Sequence, residues 1–436
     1  MAHPLAVEDN EILNKGNPNM PAMLSDTGKA LYFPKGILTQ TAEATQKAGK
    51  YNVTIGIAKE KGEAMHLPSV MKYFNGLTPD EALPYASSPG NMPLRRKWKE
   101  AMVKKNPSLA SIPFSMPSVV NGITHGLCVA GDLFGDEGDT LLLPEKYWGN
   151  YNMIFGLRRG MKIARYPFFN SHGGLDMPGF EKALKQHAAL NKKLVVLLNF
   201  PNNPTGYSAT RAEARAIANV LKEIAANGCA VIVICDDAYF GLFYDANVFP
   251  ESLFTLLADA HENLMAVKVD GASKEDYGWG LRVGYVTFGI RGGTDAMYGA
   301  LERKAGGCIR SMVSNCSQPA QSILLKAMND PQYDAERREK CEVLRRRAAK
   351  VKDVLANPRY ASAWTPYPFN SGYFMCLKMA KLNAETYRVH LLNEYGIGVI
   401  AEGDHDIRVA FSCIEEENIQ ELFDLMFDCA DIMLKK

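Results

Sequence analysis

Short apolar runs alternate with stretches of helical periodicity between about residues 118 and 290. Runs of four to eight apolar residues are typical of strands that are buried on both faces. Four such runs predict strands: TLLLP (140–144), LVVLLNF (194–200), AVIVICD (230–236) and LMAVKV (264–269). Strands separated by helices in this rhythm predict an α/β fold with a mainly parallel sheet.

A helix is predicted between the second and third of these strands, in YSATRAEARAIANVLKEIAANG. Its apolar positions follow the i, i+3, i+4, i+7 rule of one buried helix face: Ile217, Val220, Leu221 and Ile224. Ser208 is the expected N-cap, and Gly228 the expected residue at the end of the helix.

The pattern changes after about residue 325. ERREKCEVLRRRAAKVKDVL predicts a charged helix, WTPYPFNSGYFMCLKM a turn and then a strand, and IRVAFS a short strand. SCIEEENIQELFDLMFDCADIMLKK predicts a closing helix, with Ser412 and Glu415 as its capping box. We therefore expect a large domain at 66–324 and a small α+β domain that combines residues 1–65 and 325–436.

Composition excludes several classes of protein. The chain has 436 residues, a formal net charge of +1, 47% hydrophobic residues and 22% charged residues, as in ordinary soluble proteins. The sequence indicates neither a nucleic-acid nor a membrane partner. The N-terminus lacks the features of a secretory signal, and the nine cysteines are scattered singly. We expect a cytoplasmic protein with free thiols and without a metal site.

Polar groups follow three of the predicted strands. Asn203 lies in NFPNNPTG, Asp236 begins DDAY, and Lys274 ends ASK. Ligands of open α/β sheets bind beyond the carboxyl ends of the strands, so these groups are candidates for one site. Taken singly, NNPTG is also a common turn sequence, and Asp236 is also a plausible helix N-cap.

The segment SKEDYGWGLRVGY (273–285) places Lys274 eight residues before Arg282. A lysine that forms a Schiff base must be partly desolvated and close to other cations, which keep its amine neutral. The alternative is a pair of solvated cations in a glycine-rich loop. Gly278, Gly280 and Gly284 also weakly suggest a dinucleotide-binding loop, although their spacing departs from that motif.

NNPTG, DDAY and SKEDYGWGLRVGY, in this order, resemble the signature of class I/II aminotransferases, the fold-type I pyridoxal-phosphate enzymes. The resemblance extends from about residue 50 to the end of the chain. It implies a large domain with a seven-stranded-type sheet between helices, a smaller α+β domain, and pyridoxal 5'-phosphate as the cofactor. It also implies a ping-pong Schiff-base mechanism that moves an amino group between an L-amino acid and a 2-oxo acid such as 2-oxoglutarate.

The resemblance assigns roles to residues at the strand ends. Lys274 would hold the cofactor through a Schiff base and later move the substrate's proton. Asp236 would pair with the ring nitrogen. Tyr239 and Asn203 would hydrogen-bond the ring's phenolic oxygen, and Arg282 would bind the phosphate.

Two further stretches resemble cofactor-binding segments of the family. VNGITHGL (120–127) resembles the turn that holds the phosphate, with Gly122, Ile123 and Thr124 at a helix N-terminus. The neighbouring His125 is expected to be structural. YWGNY (147–151) resembles the segment that stacks an aromatic side chain on the ring; Trp148 fits better than Tyr147, but both remain candidates.

The remaining matches concern the substrate and a second subunit. YASSPGNMPLRRKW (85–98) resembles a motif in which Tyr85 reaches the phosphate of the partner subunit's cofactor, which implies a homodimer with shared active sites. IRVAF makes Arg408 the expected ligand of the substrate's α-carboxylate; an edge-strand salt bridge is the alternative. IRSMVSN resembles the aspartate-type stretch of the family, which makes Arg310 a candidate for a distal carboxylate in the neighbouring subunit's site; a pair with a local carboxylate is the alternative. Aspartate or glutamate is therefore the expected substrate, an aromatic amino acid the second candidate.

The sequence departs from the family at one position. The family often has Ser-x-Ser-Lys where this chain has Gly271-Ala272-Ser273-Lys274, so one hydroxyl for the phosphate is missing. Ser273 and backbone amides are the candidates to replace it.

Other functions remain open at this point. A carbon–sulfur lyase or another fold-type I enzyme would use the same cofactor. The effector-binding half of a transcription regulator would need a DNA-binding module before residue 50, where we expect no room for one. A nicotinamide dehydrogenase rests on the weak glycine pattern alone.

Overall fold

The structure is a computed structural model of the chain, and it describes residues 3–34 and 36–435. The strands of this part are β1 Tyr51–Asn52, β2 Lys59–Glu60, β3 Glu63–Ala64, β4 Ser118–Asn121, β5 Thr140–Pro144, β6 Lys162–Tyr166, β7 Lys193–Asn199, β8 Ala230–Asp236, β9 Leu264–Gly271, β10 Val283–Gly289, β11 Trp364–Pro366, β12 Met375–Met379, β13 Ile397–Gly398, β14 Ile400–Glu402 and β15 Asp406–Val409.

The α-helices surround these strands. They are α1 Pro4–Gly16, α2 Met20–Met23, α3 Asp26–Ala30, α4 Ile37–Lys47, α5 Pro68–Met71, α6 Pro79–Ala82, α7 Met92–Lys105, α8 Gly122–Phe134, α9 Met177–Leu190, α10 Arg211–Ala226, α11 Phe254–Leu257, α12 Ala272–Glu275, α13 Asp295–Val313, α14 Gln318–Met328, α15 Tyr333–Leu355, α16 Ala384–Tyr395 and α17 Ile419–Lys435.

A seven-stranded sheet forms the centre of the molecule, in the order β4-β10-β9-β8-β7-β5-β6. The run from β9 to β6 is parallel, whereas β10 is antiparallel to both of its neighbours, β4 and β9. All four strands predicted from the apolar runs are present, and β9 continues two residues further, to Gly271. The predicted α/β fold with a mainly parallel sheet is confirmed.

The predicted helix between β7 and β8 is α10, but its N-cap is Thr210 and not Ser208. Thr210 and Glu213 form a capping box, in which the Thr210 amide donates to the Glu213 carboxylate at 2.7 Å. Ser208 lies before this box, where its amide donates to Asn370 Oδ1. The expected end is correct, because Gly228 follows the C-cap with a φ of +93°.

The C-terminal lobe contains a four-stranded sheet in the order β11-β12-β15-β14. The strand predicted within WTPYPFNSGYFMCLKM is β12. The same segment also contains a short strand that was not predicted, β11. The predicted capping box of the last helix is wrong, because α17 begins at Ile419. Ser412 instead donates its hydroxyl to the Ile57 carbonyl at 2.6 Å, and Glu415 pairs with Arg347.

The N-terminal segment packs with this lobe. β1 pairs in parallel with β13, and the Ala410 amide donates to the Val53 carbonyl at 2.9 Å. These contacts support the proposed division into a large domain at 66–324 and a small domain of 1–65 and 325–436. Within the described ranges, no helix has the length and apolar character needed to cross a membrane.

Candidate active site

A cavity of about 320 Å³ lies at the carboxyl ends of β7, β8 and β9. Ten of the predicted site residues line it: Ile123, Thr124, Trp148, Asn203, Asp236, Tyr239, Ser273, Lys274, Arg282 and Arg408. The strand ends and β15 therefore bring together residues that are up to 285 positions apart in the sequence, from Ile123 to Arg408.

Lys274 follows β9 and lies half-buried in the wall of the cavity. Its Nζ donates to the Gly56 carbonyl at 2.6 Å and lies 5.2 Å from the centre of the Tyr239 ring. Burial, together with the positive charges of Arg282 and Arg408, lowers the pKa of Lys274 to about 7. The amine is therefore largely neutral just above neutral pH, as a nucleophile or base requires.

Asp236 is the last residue of β8 and is 2% exposed. The Tyr151 hydroxyl donates to its Oδ2 at 2.6 Å, and the Ala238 amide donates to its Oδ1 at 3.1 Å. Burial raises the pKa of Asp236 to about 6, and these hydrogen bonds oppose the rise. No α-helix begins at Asp236, so the carboxylate stabilises a turn and faces the cavity rather than capping a helix.

Arg282 and Gly122 meet at the end of the cavity where α8 begins. Gly122 has a φ of +75°, and a Cβ added to it would lie 2.3 Å from Arg282 Nη2. A side chain at position 122 would therefore displace the guanidinium group. Ser273 Oγ is buried here and has no hydrogen-bond partner among the described residues. A cation, a hydroxyl and the first amides of α8 make this end suitable for a phosphate.

Steric contacts explain why this chain has Gly271 where the family often has a serine. A Cβ at this position would lie 2.6 Å from the Val283 carbonyl oxygen and 2.7 Å from Gly284 Cα. The close approach of β9 and β10 therefore excludes any side chain at position 271. The glycines do not fit the dinucleotide interpretation, because Gly284 lies inside β10 and not at the start of a helix.

Arg408 is held in place on both sides. Its Nη1 donates to Asn203 Oδ1 and its Nη2 to the Thr54 carbonyl, both at 3.0 Å, while the guanidinium group lies 4.3 Å from the centre of the Phe374 ring. Its Nε is buried without a partner in the described chain. Arg408 lies in β15, between β12 and β14, so the edge-strand alternative is wrong.

Of the two aromatic candidates for stacking on the cofactor ring, Trp148 and Tyr147, only one lines the cavity. Trp148 lines the cavity. The Tyr147 hydroxyl donates to Asn152 Oδ1 at 3.0 Å, and its ring faces Arg165 outside the cavity. His125 Nδ1 accepts a hydrogen bond from the Asn121 amide at 3.0 Å, which supports a structural role at the start of α8.

Tyr85 and Arg310 lie outside the cavity. Tyr85 is 92% exposed, and the exposed Arg310 donates to Ser314 Oγ at 2.5 Å. Both were expected to serve the cavity of a partner subunit, so their roles remain predictions.

Several residues of the cavity were not expected from the sequence: Ile37, Leu38, Gly56, Ile57, Tyr151, Asn199 and Phe374. Tyr151 could have been found, because it follows Trp148 by three residues within the YWGNY motif. Ile37, Leu38 and Gly56 come from the N-terminal segment and belong to no motif, so only the packing of the lobes reveals them.

Comparison with known proteins identifies relatives of this chain. The family described as "Aminotransferase class I and II" matches residues 54–425. An aspartate aminotransferase of Rhizobium meliloti is 30% identical over 200 residues, which is 45% of this chain and 43% of that protein. A probable aspartate/prephenate aminotransferase of Rickettsia felis is 24% identical over 371 residues, or 80% of this chain and 83% of that protein.

The matches to the first curated relatives are partial: they span 43%, 57% and 45% of those proteins. Solved structures match at full length. An aminotransferase from Anaerococcus prevotii has a TM-score of 0.82 at 22% identity and covers 94% of this chain and 99% of its own. An aspartate aminotransferase variant of Thermus thermophilus, solved with tryptophan, has a TM-score of 0.76 at 19% identity and covers 93% of this chain and 99% of its own. These structures share the fold of the chain.

Proposed function

The chain belongs to the class I and II aminotransferase family, and from this premise we propose that it is a pyridoxal-phosphate-dependent aminotransferase. Its substrates would be an L-amino acid and a 2-oxo acid such as 2-oxoglutarate. The observation that carries the proposal is the buried Lys274 amine, with its pKa lowered to about 7, in one cavity with Asp236, Arg282 and Arg408.

The residues of the cavity fit the cofactor. Arg282, Ser273 and the start of α8 would hold its phosphate, and the Ser273 hydroxyl is buried without another partner in the described residues. Asp236 would face the ring nitrogen, Trp148 would stack on the ring, and Tyr239 and Asn203 would bind its phenolic oxygen. When bound, pyridoxal phosphate supplies an aldehyde that bonds amines and a ring that withdraws electrons from the substrate's Cα.

The chain itself would orient the substrate and move its proton. Arg408 would bind the α-carboxylate through its guanidinium group, whose position Asn203 and Thr54 fix. Lys274 Nζ would then take the proton from Cα, because a pKa of about 7 suits a base at neutral pH. Burial raises the pKa of the Tyr239 hydroxyl, so that group remains a hydrogen-bond donor.

The proposed amino donor is aspartate or glutamate, with an aromatic amino acid as the second candidate. Arg310 of the partner subunit would bind the distal carboxylate, and Tyr85 would reach the partner's phosphate site. Several relatives are named aspartate aminotransferases, and others aspartate/prephenate aminotransferases. We further propose a homodimer in the cytoplasm, where free thiols such as these nine cysteines persist.

The test of the proposed function is the covalent bond at Lys274. The purified protein with pyridoxal phosphate should absorb visible light, and borohydride should abolish that band and leave the cofactor's mass on the peptide with Lys274. A Lys274→Ala variant should lose the labelled peptide and nearly all amino transfer. Labelling of another lysine, or full activity of Lys274→Ala, would contradict the proposal.

A further inference from the structure

A second cavity of about 380 Å³ lies behind the candidate active site. Two chain segments form walls of both cavities. The segment after β8 places Asp236, Ala238 and Tyr239 in the active-site cavity, whereas the next residues, 240–243, line the second cavity. The segment after β9 likewise turns Lys274 to the first cavity and Glu275 to the second.

The second cavity has an aromatic and apolar surface. Its larger apolar members are Trp98, Phe240, Phe243, Tyr277, Met328 and Tyr333. Trp98, Phe240, Tyr277 and Tyr333 are all buried by the surrounding chain. The Trp98 ring is stacked on Tyr285 and lies 4.6 Å from Lys105 Nζ. The other aromatic side chains give the cavity a surface that suits a flat, unsaturated body of about one or two rings.

Positive charge exceeds negative charge along the same walls. Lys104, Lys105, Arg337 and Arg338 contribute four cations, whereas Glu275 and Asp334 contribute two carboxylates. Glu275 binds Lys105 at 2.9 Å and Arg337 at 2.5 Å, and Asp334 binds Lys104 at 2.5 Å. Arg338 forms no hydrogen bond or ion pair with the described residues. Arg338 is therefore an exposed cation at the rim of the cavity that no hydrogen bond from the described chain holds, with the Asp334 carboxylate as its neighbour.

Tyr277 adds an unused hydrogen-bonding group. Its side chain lines the second cavity and the residue is only 5% exposed, yet its buried hydroxyl has no partner in the described part of the chain. A buried polar group without a partner costs free energy, and a ligand that supplies the missing hydrogen bond recovers it.

We propose that this second cavity is an effector site for a small aromatic carboxylate. The ring of the ligand would pack against Phe240 and Phe243, and its carboxylate would reach Arg338 and the Tyr277 hydroxyl. Binding would be communicated to the active site, because the walls that contact the ligand continue directly into Tyr239 and Lys274. Binding of the carboxylate to the second cavity does not depend on the proposed function. Only the coupling between this cavity and the cofactor rests on the proposed function.

The location of the ligand is tested with 4-bromobenzoate in crystals of the wild-type protein. Anomalous diffraction from bromine is expected in the cavity beside Trp98. Crystals with neutral 4-bromobenzamide should show no bromine there at the same concentration. Absence of bromine from this cavity at saturating 4-bromobenzoate, or equal occupancy by the amide, would overturn the proposal.

Affinity in solution is measured by protection of Cys341, which lines the cavity. Iodoacetamide labels the cysteines, and peptide mapping by mass spectrometry follows Cys341 separately. 4-Bromobenzoate should slow its labelling in the wild type, with an apparent affinity at least about fivefold weaker in Tyr277→Phe and in Arg338→Gln. Arg303→Gln changes an exposed cation outside the cavity and should match the wild type. Equal protection in all four proteins would refute the assigned contacts.

Coupling is measured as the affinity of the protein for pyridoxal phosphate, with and without 4-bromobenzoate. Linkage requires the two ligands to change each other's affinity by the same factor. We expect a shift in the wild type and a smaller one in Arg338→Gln at the same concentration. An unchanged cofactor affinity with the second cavity occupied would refute the effector role. Failure to bind the cofactor at all would instead refute the proposed function and leave the crystallographic test valid.

Discussion

Lys274 and Lys268 illustrate how surroundings give one residue type two different roles. Lys268 is buried and Lys274 is half-buried, and the two lysines lie only six residues apart. Lys268 pairs with Asp237 and Asp270, and these carboxylates outweigh burial and raise its pKa. Lys274 has arginines and a carbonyl nearby, and burial lowers its pKa to about 7. Lys268 is therefore a structural cation, whereas the Lys274 amine is the candidate nucleophile.

The first prediction concerns the pH dependence of Lys274 in protein without cofactor. A lowered pKa means that the amine loses its proton as the pH rises through about 7, well below the usual value of 10.5. Labelling of Lys274 by an amine reagent should rise with pH and reach half of its maximum near pH 7, as measured by peptide mapping. Lys185 on the surface is the control, because its hydrogen bond with Glu181 raises its pKa and should place its midpoint far higher. A midpoint near 10 for Lys274 would contradict the account.

The second prediction concerns Tyr151, whose hydroxyl binds Asp236. Because this hydrogen bond lowers the pKa of Asp236, Tyr151→Phe should raise that pKa above about 6. Cofactor affinity should fall by roughly tenfold at neutral pH, since a hydrogen bond to a charged group contributes about 1.5–3 kcal/mol. The loss of affinity on acidification should also begin at a higher pH.

Tyr147→Phe is the matched control, because the Tyr147 hydroxyl binds Asn152 away from the cavity. Titration with pyridoxal phosphate at several pH values compares the two variants. Identical titrations for Tyr151→Phe and Tyr147→Phe would show that the Asp236 contact does not influence the cofactor.

At the scale of elements, a closed series of contacts near Arg408 joins three parts of the chain: the loop after β5, the loop after β7, and β15. Lys146, in the loop after β5, pairs with Asp406, which lies two residues before Arg408 in β15. Arg408 donates to Asn203, and the neighbouring Asn202 donates back to the Lys146 carbonyl at 3.1 Å. This series of contacts connects the loop that carries Trp148 to the strand that carries Arg408, and so connects the two lobes.

The third prediction is that the Lys146–Asp406 pair positions Arg408. Lys146→Met leaves Asp406 largely buried without its cation, and β15 should shift relative to the large sheet. The KM for the amino acid should rise by about tenfold, which corresponds to about 1.4 kcal/mol, with a smaller change in cofactor affinity. Lys146→Arg should restore most of the loss.

A second ion pair between the lobes provides the control. Lys352 of α15 binds Asp245 at 2.7 Å on the surface, away from Arg408. Exposed pairs contribute little, so Lys352→Met should leave steady-state kinetics nearly unchanged. If Lys146→Met and Lys352→Met behave alike, the pair does not position Arg408.

The elements predicted correctly from periodicity are those whose own side chains show that they are buried. β5, β7, β8 and β9 are continuous apolar runs inside a sheet, and the side chains alone identify them. Both capping errors concern Ser208 and Ser412, whose hydroxyls and amides bind distant segments. Such partners cannot be found from local sequence, because the tertiary packing supplies them.

At the scale of the whole molecule, the motifs predicted most of the cavity because strand ends of a parallel sheet meet at one edge. The contribution of the N-terminal segment was missed: Ile37, Leu38 and Gly56 reach the cavity from a segment whose β1 pairs with β13. Exposed apolar side chains also cluster in the sequence around Tyr85: Met71, Phe74, Leu83 and Met92. These exposed side chains support the proposed homodimer, in which Tyr85 and Arg310 would complete the partner's site.

The most direct test of the central claim is a single half-reaction. Protein loaded with pyridoxal phosphate is mixed with L-aspartate in the absence of any oxo acid, and visible absorbance and released oxaloacetate are followed together. An aminotransferase should release one oxaloacetate per active site and stop, and 2-oxoglutarate should restore the visible band with one glutamate per site. Continued release of oxo acid and ammonia without an acceptor would contradict the account and identify a lyase.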